Sequence, residues 1–331
     1  MKRNKEKNCF KSQTSNERTS NQIEKYMKKF FVLIITIVPL ITFAQSVSFV
    51  NTPSDARSAA MGNATYALSG VAFVTHHNSA SVFFSEYENS AGISYMSWQP
   101  DVAGCSQINI GAHFRTLKYL GMALGYKHNI LPETQLYDEN GNPLGNFTPK
   151  ENAIDIGFAF RVSERFSIST DLRYIRSIMS TKNEGSAVAF NLNTMYSANN
   201  LNLAFGISNI GSKIDYGYNK YDLPATVKAG AVYSHISEKQ RFTFSGEVDY
   251  LVSPSDYRGL IGGVGIEYMF NNTLAIRGGY HVSDKSKTGP SYASLGAGVN
   301  VNILSFNAAY WLAGSDNPAN KSFLISLSIN F

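Results

Sequence analysis

The chain has 331 residues, 44% of them hydrophobic, enough for one large domain or two ordinary ones. Aromatic residues make up 13% and charged residues only 16%, with 26 Gly, a composition of strands and turns rather than helices. The net charge of +5 does not signal nucleic-acid binding: residues 1–29 carry nine Lys and Arg against three Glu, a net +6, which leaves −1 on the remainder and no basic tract interleaved with aromatics.

The first predicted element starts at Met27. Lys28 and Lys29 form a positive head, Phe30 to Ile41 a short apolar run interrupted by Pro39, and Thr42-Phe43-Ala44 a small-residue cleavage site. This pattern predicts a signal peptide over residues 27–44 with Gln45 as the mature N-terminus, and makes residues 1–26 an over-extended start. The run is too short for a membrane-spanning helix, and no Cys follows it to carry a lipid anchor. Only Cys9 and Cys105 occur, so the mature chain holds one thiol and no internal disulfide. An exported chain of this size then needs another source of stability, and a closed sheet in lipid supplies one.

Residues 45–88 are too many for a linker. Asn51 to Ala64 read as a turn, a helical start capped by Ser54 or Asp55, and a Gly stop at Gly62. The segment is of a size to enter from the periplasmic side and sit in a lumen as a plug, or to pack beneath its mouth.

From residue 89 onward, segments of about ten residues alternate apolar and polar side chains with a period of two. Fourteen are predicted: 89–98, 107–116, 118–130, 153–161, 166–178, 187–197, 201–210, 225–235, 240–252, 258–270, 274–282, 291–301, 303–311 and 322–331. Their length suits tilted strands that cross a bilayer. In the clearest of them Ile154, Ile156, Phe158 and Phe160 alternate with Asp155, Gly157, Ala159 and Arg161. Periodicity alone fits a soluble sandwich equally well. Connection lengths separate the two, because short links alternate with mostly longer ones (99–106, 131–152, 179–186, 211–224, 253–257, 283–290, 312–321), as in a transmembrane barrel. An even up-and-down meander closes simply and leaves no edge in lipid. The expected fold is therefore all-β, an up-and-down outer-membrane β-barrel of about 14 antiparallel strands over residues 89–331 with a short N-terminal plug. Tyr95, Trp98, Tyr233, Tyr250, Tyr268, Tyr280, Tyr310 and Trp311 lie near strand ends and suit interfacial girdles.

The run S-D-A-R-S-A-A-M-G-N-A at Ser54–Ala64 resembles the P-D-A-R-x-x-x-M-G-x-A opening of the PorV/PorQ family of outer-membrane proteins, itself similar to the FadL long-chain fatty-acid transporters. Asn78-Ser79-Ala80 stands where that family has Asn-Pro-Ala, and G-I-S-Y-M-S-W at Gly92–Trp98 resembles its first strand. The resemblance implies a non-enzymatic role in type IX secretion, in bacteria of the Bacteroidetes type. PorV-like barrels there bind C-terminal domains of secreted cargo and pass them to other subunits of the secretion complex. It marks Asp55, Ala56, Arg57, Met61, Gly62, Asn78 and Ala80 as the plug motif. The rival expectation is a FadL-like passive channel, with a hydrophobic ligand held between plug and wall. A plain structural barrel is a third.

Other chemistry is weakly supported. His76-His77 lacks partners at metal-ligand spacing. Gly259 to Gly265 superficially matches a phosphate loop but lies within a strand with no following helix or Lys, which favours close packing in the wall. His113, His128, His235 and His281 have no nucleophile motif beside them. The expectation is no enzyme, no cofactor, no metal and no nucleic acid, with outer-membrane lipid as the surrounding partner. Asp155, Arg161, Asp171, Arg173, Lys228, Glu247, Asp249, Glu267 and Arg277 fall on the inward face. Their mixed signs suit internal pairing that anchors a plug, with Arg57 or Asp55 pairing to wall charges, and equally suit a hydrated lumen.

Overall fold

The computed structural model describes residues 47–100, 104–137, 140–181, 183–217 and 219–331. The expected signal peptide and the stretch before it lie outside the described residues. Alternating side chains over the rest of the chain produce strands β1 (Asn89–Trp98), β2 (Cys105–Phe114), β3 (Leu120–Ile130), β4 (Thr134–Tyr137), β5 (Pro143–Phe147), β6 (Lys150–Ser163), β7 (Phe166–Ile178), β8 (Glu184–Ala198) and β9 (Leu201–Gly211). They continue with β10 (Ile214–Asp215), β11 (Lys220–Tyr221), β12 (Thr226–Ser237), β13 (Gln240–Leu251), β14 (Gly259–Phe270), β15 (Leu274–Ser283), β16 (Tyr292–Val301), β17 (Leu304–Leu312) and β18 (Phe323–Asn330).

Each wall strand pairs antiparallel with its sequence neighbours, and β18 returns to β1 in the register Ser90↔Asn330 to Ser97↔Phe323. The last residue joins this seam, since Asn89 and Phe331 exchange backbone hydrogen bonds of 2.8 and 2.9 Å. Among the described residues the wall is a closed barrel of fourteen strands. Closure satisfies every edge, the condition for a sheet in hydrocarbon. The four remaining strands form two hairpins on the long connections. β4 pairs with β5 alone, whereas β10–β11 continues the wall from β8.

The two faces separate cleanly. Ile154, Ile156, Phe158 and Phe160 of β6 point outward and are exposed, whereas Asp155 is 1% exposed. Phe323, Ile325, Leu327 and Ile329 of the final strand are likewise exposed, and Leu324 and Asn330 are buried. A continuous belt of exposed large aliphatic and aromatic side chains around a closed sheet is a lipid-facing surface. Tight turns close the end where β1 begins, and Asn199, Asn271, Asn272 and Asn302 supply the left-handed backbone they need. The longer connections gather at the opposite end.

Three expectations need correction. Trp98 and Trp311 do not join an interfacial girdle: inward parity turns both toward the lumen, edge to face at 5.3 Å, with Trp311 1% exposed. The reason is strand register, since Met96 and Trp98 share the inward face of β1, while Tyr95 faces out. The connection 131–152 is not open loop throughout. It carries the β4–β5 hairpin, and β6 begins at Lys150 rather than residue 153. The second strand ends at Phe114 rather than residue 116, because the Arg115 backbone N–H bonds Glu88 and its guanidinium turns in to the Ser85 carbonyl at 2.8 Å.

Candidate functional site

Residues 47–86 run through the barrel interior. They comprise one short α-helix, α1 (Ala56–Ala60), and 3-10 turns at Ser48–Asn51, Val74–His76 and Ser79–Phe84. The segment begins at the long-loop end, where Val47, Phe49 and Val50 pack with Ile175, Ile214, Tyr216 and Leu223. It leaves at the short-turn end, just before β1. The apolar side chains of Val47, Phe49 and Val50 need that cluster to be buried, so the segment traverses the lumen instead of only entering its periplasmic mouth.

Asp55 caps α1. Its Oδ1 accepts the Ser58 amide at 2.9 Å, and its Oδ2 accepts the Ser58 hydroxyl at 2.6 Å and faces His77 Nε2 at 2.9 Å. The carboxylate is thus held by three groups of its own segment, all at hydrogen-bond distance. Ala56, Ala59 and Ala60 are fully buried against the wall. There the Trp311 indole N–H donates to the Ala59 carbonyl at 3.1 Å, and the Ser294 hydroxyl to Ala60 at 2.9 Å. Gly62 sits left-handed at φ 64°, and a Cβ there would meet the Tyr280 carbonyl oxygen at 2.6 Å. The wall reciprocates: a Cβ on Gly265 would lie 2.6 Å from Met61, and one on Gly279 2.2 Å from the Gly62 nitrogen. The run of small residues in the motif and the glycines of β14–β15 are two sides of one close approach.

Asn78 repeats the capping logic at the 3-10 turn Ser79–Phe84. Its Oδ1 accepts the Ala80 amide at 2.9 Å, and its amide donates to the Tyr66 and Thr194 carbonyls. Ala80 is fully buried, and its carbonyl accepts from the Ser167 hydroxyl at 2.7 Å. Ser79, where the resembled family has Pro, donates its hydroxyl to the wall carboxylate of Asp171.

The inward charges fall into separate groups rather than a ring. Arg57 meets Glu267 through two bonds of 2.9 and 2.8 Å, and Arg277 reaches the same carboxylate at 2.6 Å. Lys228 bridges Glu247 and Asp249 at 2.7 Å each. The second oxygen of Glu247 accepts the backbone amides of Thr65 at 2.7 Å and Tyr66 at 2.8 Å. Asp155 binds Arg173 at 2.5 Å and lies 3.2 Å from His76, while Asp171 accepts from Asn193 at 2.7 Å. Arg161 has no carboxylate partner among the described residues and sits over the Phe83 ring at 5.7 Å. Asp55 makes no pair with a wall charge; its partners lie within its own segment.

Lys127 belongs with this set although charge inspection passed it over. It is fully buried on β3, and its ammonium donates to the carbonyls of Val50 at 3.2 Å and Thr52 at 2.7 Å. The signal for it was parity, because Ala123, Lys127 and Asn129 share the inward face. With Ser94 on β1, Gln107 on β2, Asn193 on β8, Asn209 on β9, His281 on β15 and Ser326 on β18 added, thirteen of the fourteen wall strands make a hydrogen bond or ion pair with the inner segment, and on β12 the Lys228 ammonium lies over the Tyr66 ring at 5.2 Å. At the short-turn mouth a cavity of about 360 Å³ remains, lined by polar groups including Arg57, Arg241, Arg277, Asn200 and Asn307. Among the described residues no cluster of three or more His, Cys, Asp or Glu is placed to hold a metal ion. His76 and His77 are each turned to a different carboxylate.

A closed fourteen-strand barrel with a lipid-facing belt and a segment threaded through its lumen defines an outer-membrane protein. Residues 40–258 match the family described as type IX secretion system protein PorV, and the chain belongs to that family. No match was found among curated proteins. Solved structures share the fold at low identity. The toluene transporter TbuX of Ralstonia pickettii superposes with a TM-score of 0.56 at 11% identity, covering 84% of this chain and 98% of that one. The toluene transporter TodX of P. putida gives 0.59 at 13%, covering 84% and 98%. A FadL homologue of Pseudomonas aeruginosa gives 0.51 at 11%, again covering 84% and 98%.

Proposed function

We propose that this barrel is a docking protein of a type IX secretion apparatus, holding C-terminal domains of exported polypeptides with its long loops at the cell exterior. The observation that carries the reading is the grip of the wall on residues 47–86, with hydrogen bonds or ion pairs from thirteen of its fourteen strands. Through-passage requires that many buried polar contacts break together, and removing one partner of a buried ion pair costs about 3–5 kcal/mol. A rigid wall with a filled lumen leaves recognition to the projecting connections. The longest of these carries the β4–β5 hairpin.

The test is affinity capture from detergent-solubilised outer membranes, comparing the intact chain with one in which residues 133–148 are replaced by a short Gly-Ser link. Recovery of exported cargo by the intact barrel and its loss from the loop variant, with folding unchanged on heat-modifiable electrophoresis, supports docking. Equal recovery from both removes the loop from the proposal.

A second reading, a passive channel for hydrophobic solutes, draws on one feature of the wall. A bulge shifts the β8–β9 register between Phe190 and Leu192, and β12 pairs with β9 only as far as Ser208. The β8–β9 ladder is thus distorted locally near the long-loop end. The polar lining of the short-turn cavity disfavours an apolar route, and a co-purified fatty acid or hydrocarbon would reverse that preference.

A further inference from the structure

The outer surface of β3, β6, β7 and β8 changes character toward the long-loop end. One outward row, Tyr126–Ile154–Tyr174–Val188, closes the apolar belt with two tyrosines. The next reads His128–Asn152–Arg176–Ser186, and the one beyond it Ile130–Lys150–Ile178–Glu184. On β6 the outward positions from Ile154 to Val162 are all apolar. Eight residues at about 3.3 Å each, tilted by roughly 40°, rise about 20 Å, most of a hydrocarbon belt about 25 Å tall. Asn152 and Lys150 therefore stand at headgroup level in the outer leaflet.

The groups on this flank suit a phosphate. Lys150 is exposed and makes no ion pair among the described residues. Arg176 bonds Glu184 through its Nε at 2.5 Å, is itself exposed, and makes no hydrogen bond through its Nη groups among the described residues. Lys150 and Arg176 are diagonal neighbours across β6–β7, about 7–8 Å apart at the backbone, so two long cations can close on one anion. Asn152 Oδ1 takes the Tyr126 hydroxyl and His128 Nδ1, both at 2.8 Å, and so fixes a tyrosine and a histidine beside the pair. Two acidic groups share the flank, Glu184 and, beyond Ser186, Asp215, which is paired to Lys220 at 2.8 Å. At the same end of the opposite flank, Val227, Tyr250 and Leu260 carry no charge. The basic side chains at that end, Arg258, Lys285 and Lys287, lie outside the paired strands, and Arg258 Nε is committed to the Val252 carbonyl at 2.8 Å.

We infer that this flank binds a phosphorylated glycolipid of the outer leaflet, with phosphate between Lys150 and Arg176 and acyl chains along Ile154, Leu172 and Phe190. The shared chemistry is a phosphate monoester, and the acyl chains distinguish a glycolipid from free phosphate. The inference is independent of cargo docking.

The experiment purifies the full-length barrel from outer membranes in mild detergent, then measures bound phosphorus and glycolipid mass per barrel. The wild type is compared with Lys150→Gln and with Lys150→Gln/Arg176→Gln. All substituted side chains are exposed, and heat-modifiable mobility reports that the barrels are folded. Retention should fall roughly tenfold in the double variant, as expected on losing two charge-assisted phosphate contacts, and partly in Lys150→Gln, while Glu184→Gln retains more than wild type. Equal retention in wild type and double variant overturns the site. So does complete stripping of the glycolipid by millimolar inorganic phosphate, which would mark a generic anion patch.

Discussion

Arg57 on the inner segment and Glu267 on β14 meet through two parallel bonds, Nε to Oε2 at 2.9 Å and Nη2 to Oε1 at 2.8 Å, with the Glu267 side chain fully buried. Arg277 holds the same carboxylate from the neighbouring strand. The arrangement couples the position of α1 to the register of β14–β15, and it makes the pair a measurable latch. In a double-mutant cycle of Arg57→Gln and Glu267→Gln, unfolding in lipid vesicles should give a coupling energy of about 1–2 kcal/mol, below that of an isolated buried pair because Arg277 remains. A coupling within error of zero would show that the contact does not hold the segment.

Close approach at the glycines predicts a sharp positional contrast. Gly279→Ala places a methyl group 2.2 Å from the Gly62 nitrogen, whereas Gly246→Ala meets nothing within 4 Å. The first should destabilise the barrel by about 1–3 kcal/mol through overpacking and the second leave it nearly unchanged. Limited proteolysis of residues 47–86 reads the same effect locally: cleavage accelerates in Gly279→Ala and not in Gly246→Ala. Similar behaviour of the two variants would mean that the segment does not press on the wall there.

The Asp55 cap predicts a local effect. Its carboxylate accepts the Ser58 amide and hydroxyl and faces His77. Asp55→Ala removes the cap and should cost about 1–2 kcal/mol, seen as faster proteolysis of residues 47–86 while the wall keeps its heat-modifiable mobility. Unchanged proteolysis would show that the cap does not hold the helix.

Lys127 is the single side-chain donor to the carbonyls of Val50 and Thr52 among the described residues. Lys127→Met keeps the aliphatic stem but leaves those carbonyls unpaired, at a cost of about 1–3 kcal/mol. The expected result is selective loosening of residues 47–52, seen as faster hydrogen exchange there with the rest of the wall unchanged. Uniform loosening across the barrel would instead point to a general packing defect.

Much of the wall was legible because a two-residue period survives translation into three dimensions. The β7 strand, Phe166–Ile178, starts and ends where alternation places it, and the short turns after β8 and β14 fall on Asn residues able to adopt left-handed backbone. The interior was less legible. Trp311 looks like an interface residue by composition, yet one position of parity turns it inward onto Ala59. Lys127 carries no motif, and its importance rests on carbonyls some 75 residues away. The motif at Asp55 to Gly62 marks a helix cap and a tight bend by local rules alone, but that its small residues press against Gly265 and Gly279 follows only from the closed wall.

The chain by itself determined an alternating sheet of an even number of strands, because strand period and turn residues are local properties that need no partner to be read. The tertiary structure alone decided that the inner segment spans the lumen from the long-loop end and which wall carboxylate each of its groups meets. Those choices depend on strand register and on distances across the barrel, where residues hundreds of positions apart come within a hydrogen bond of one another.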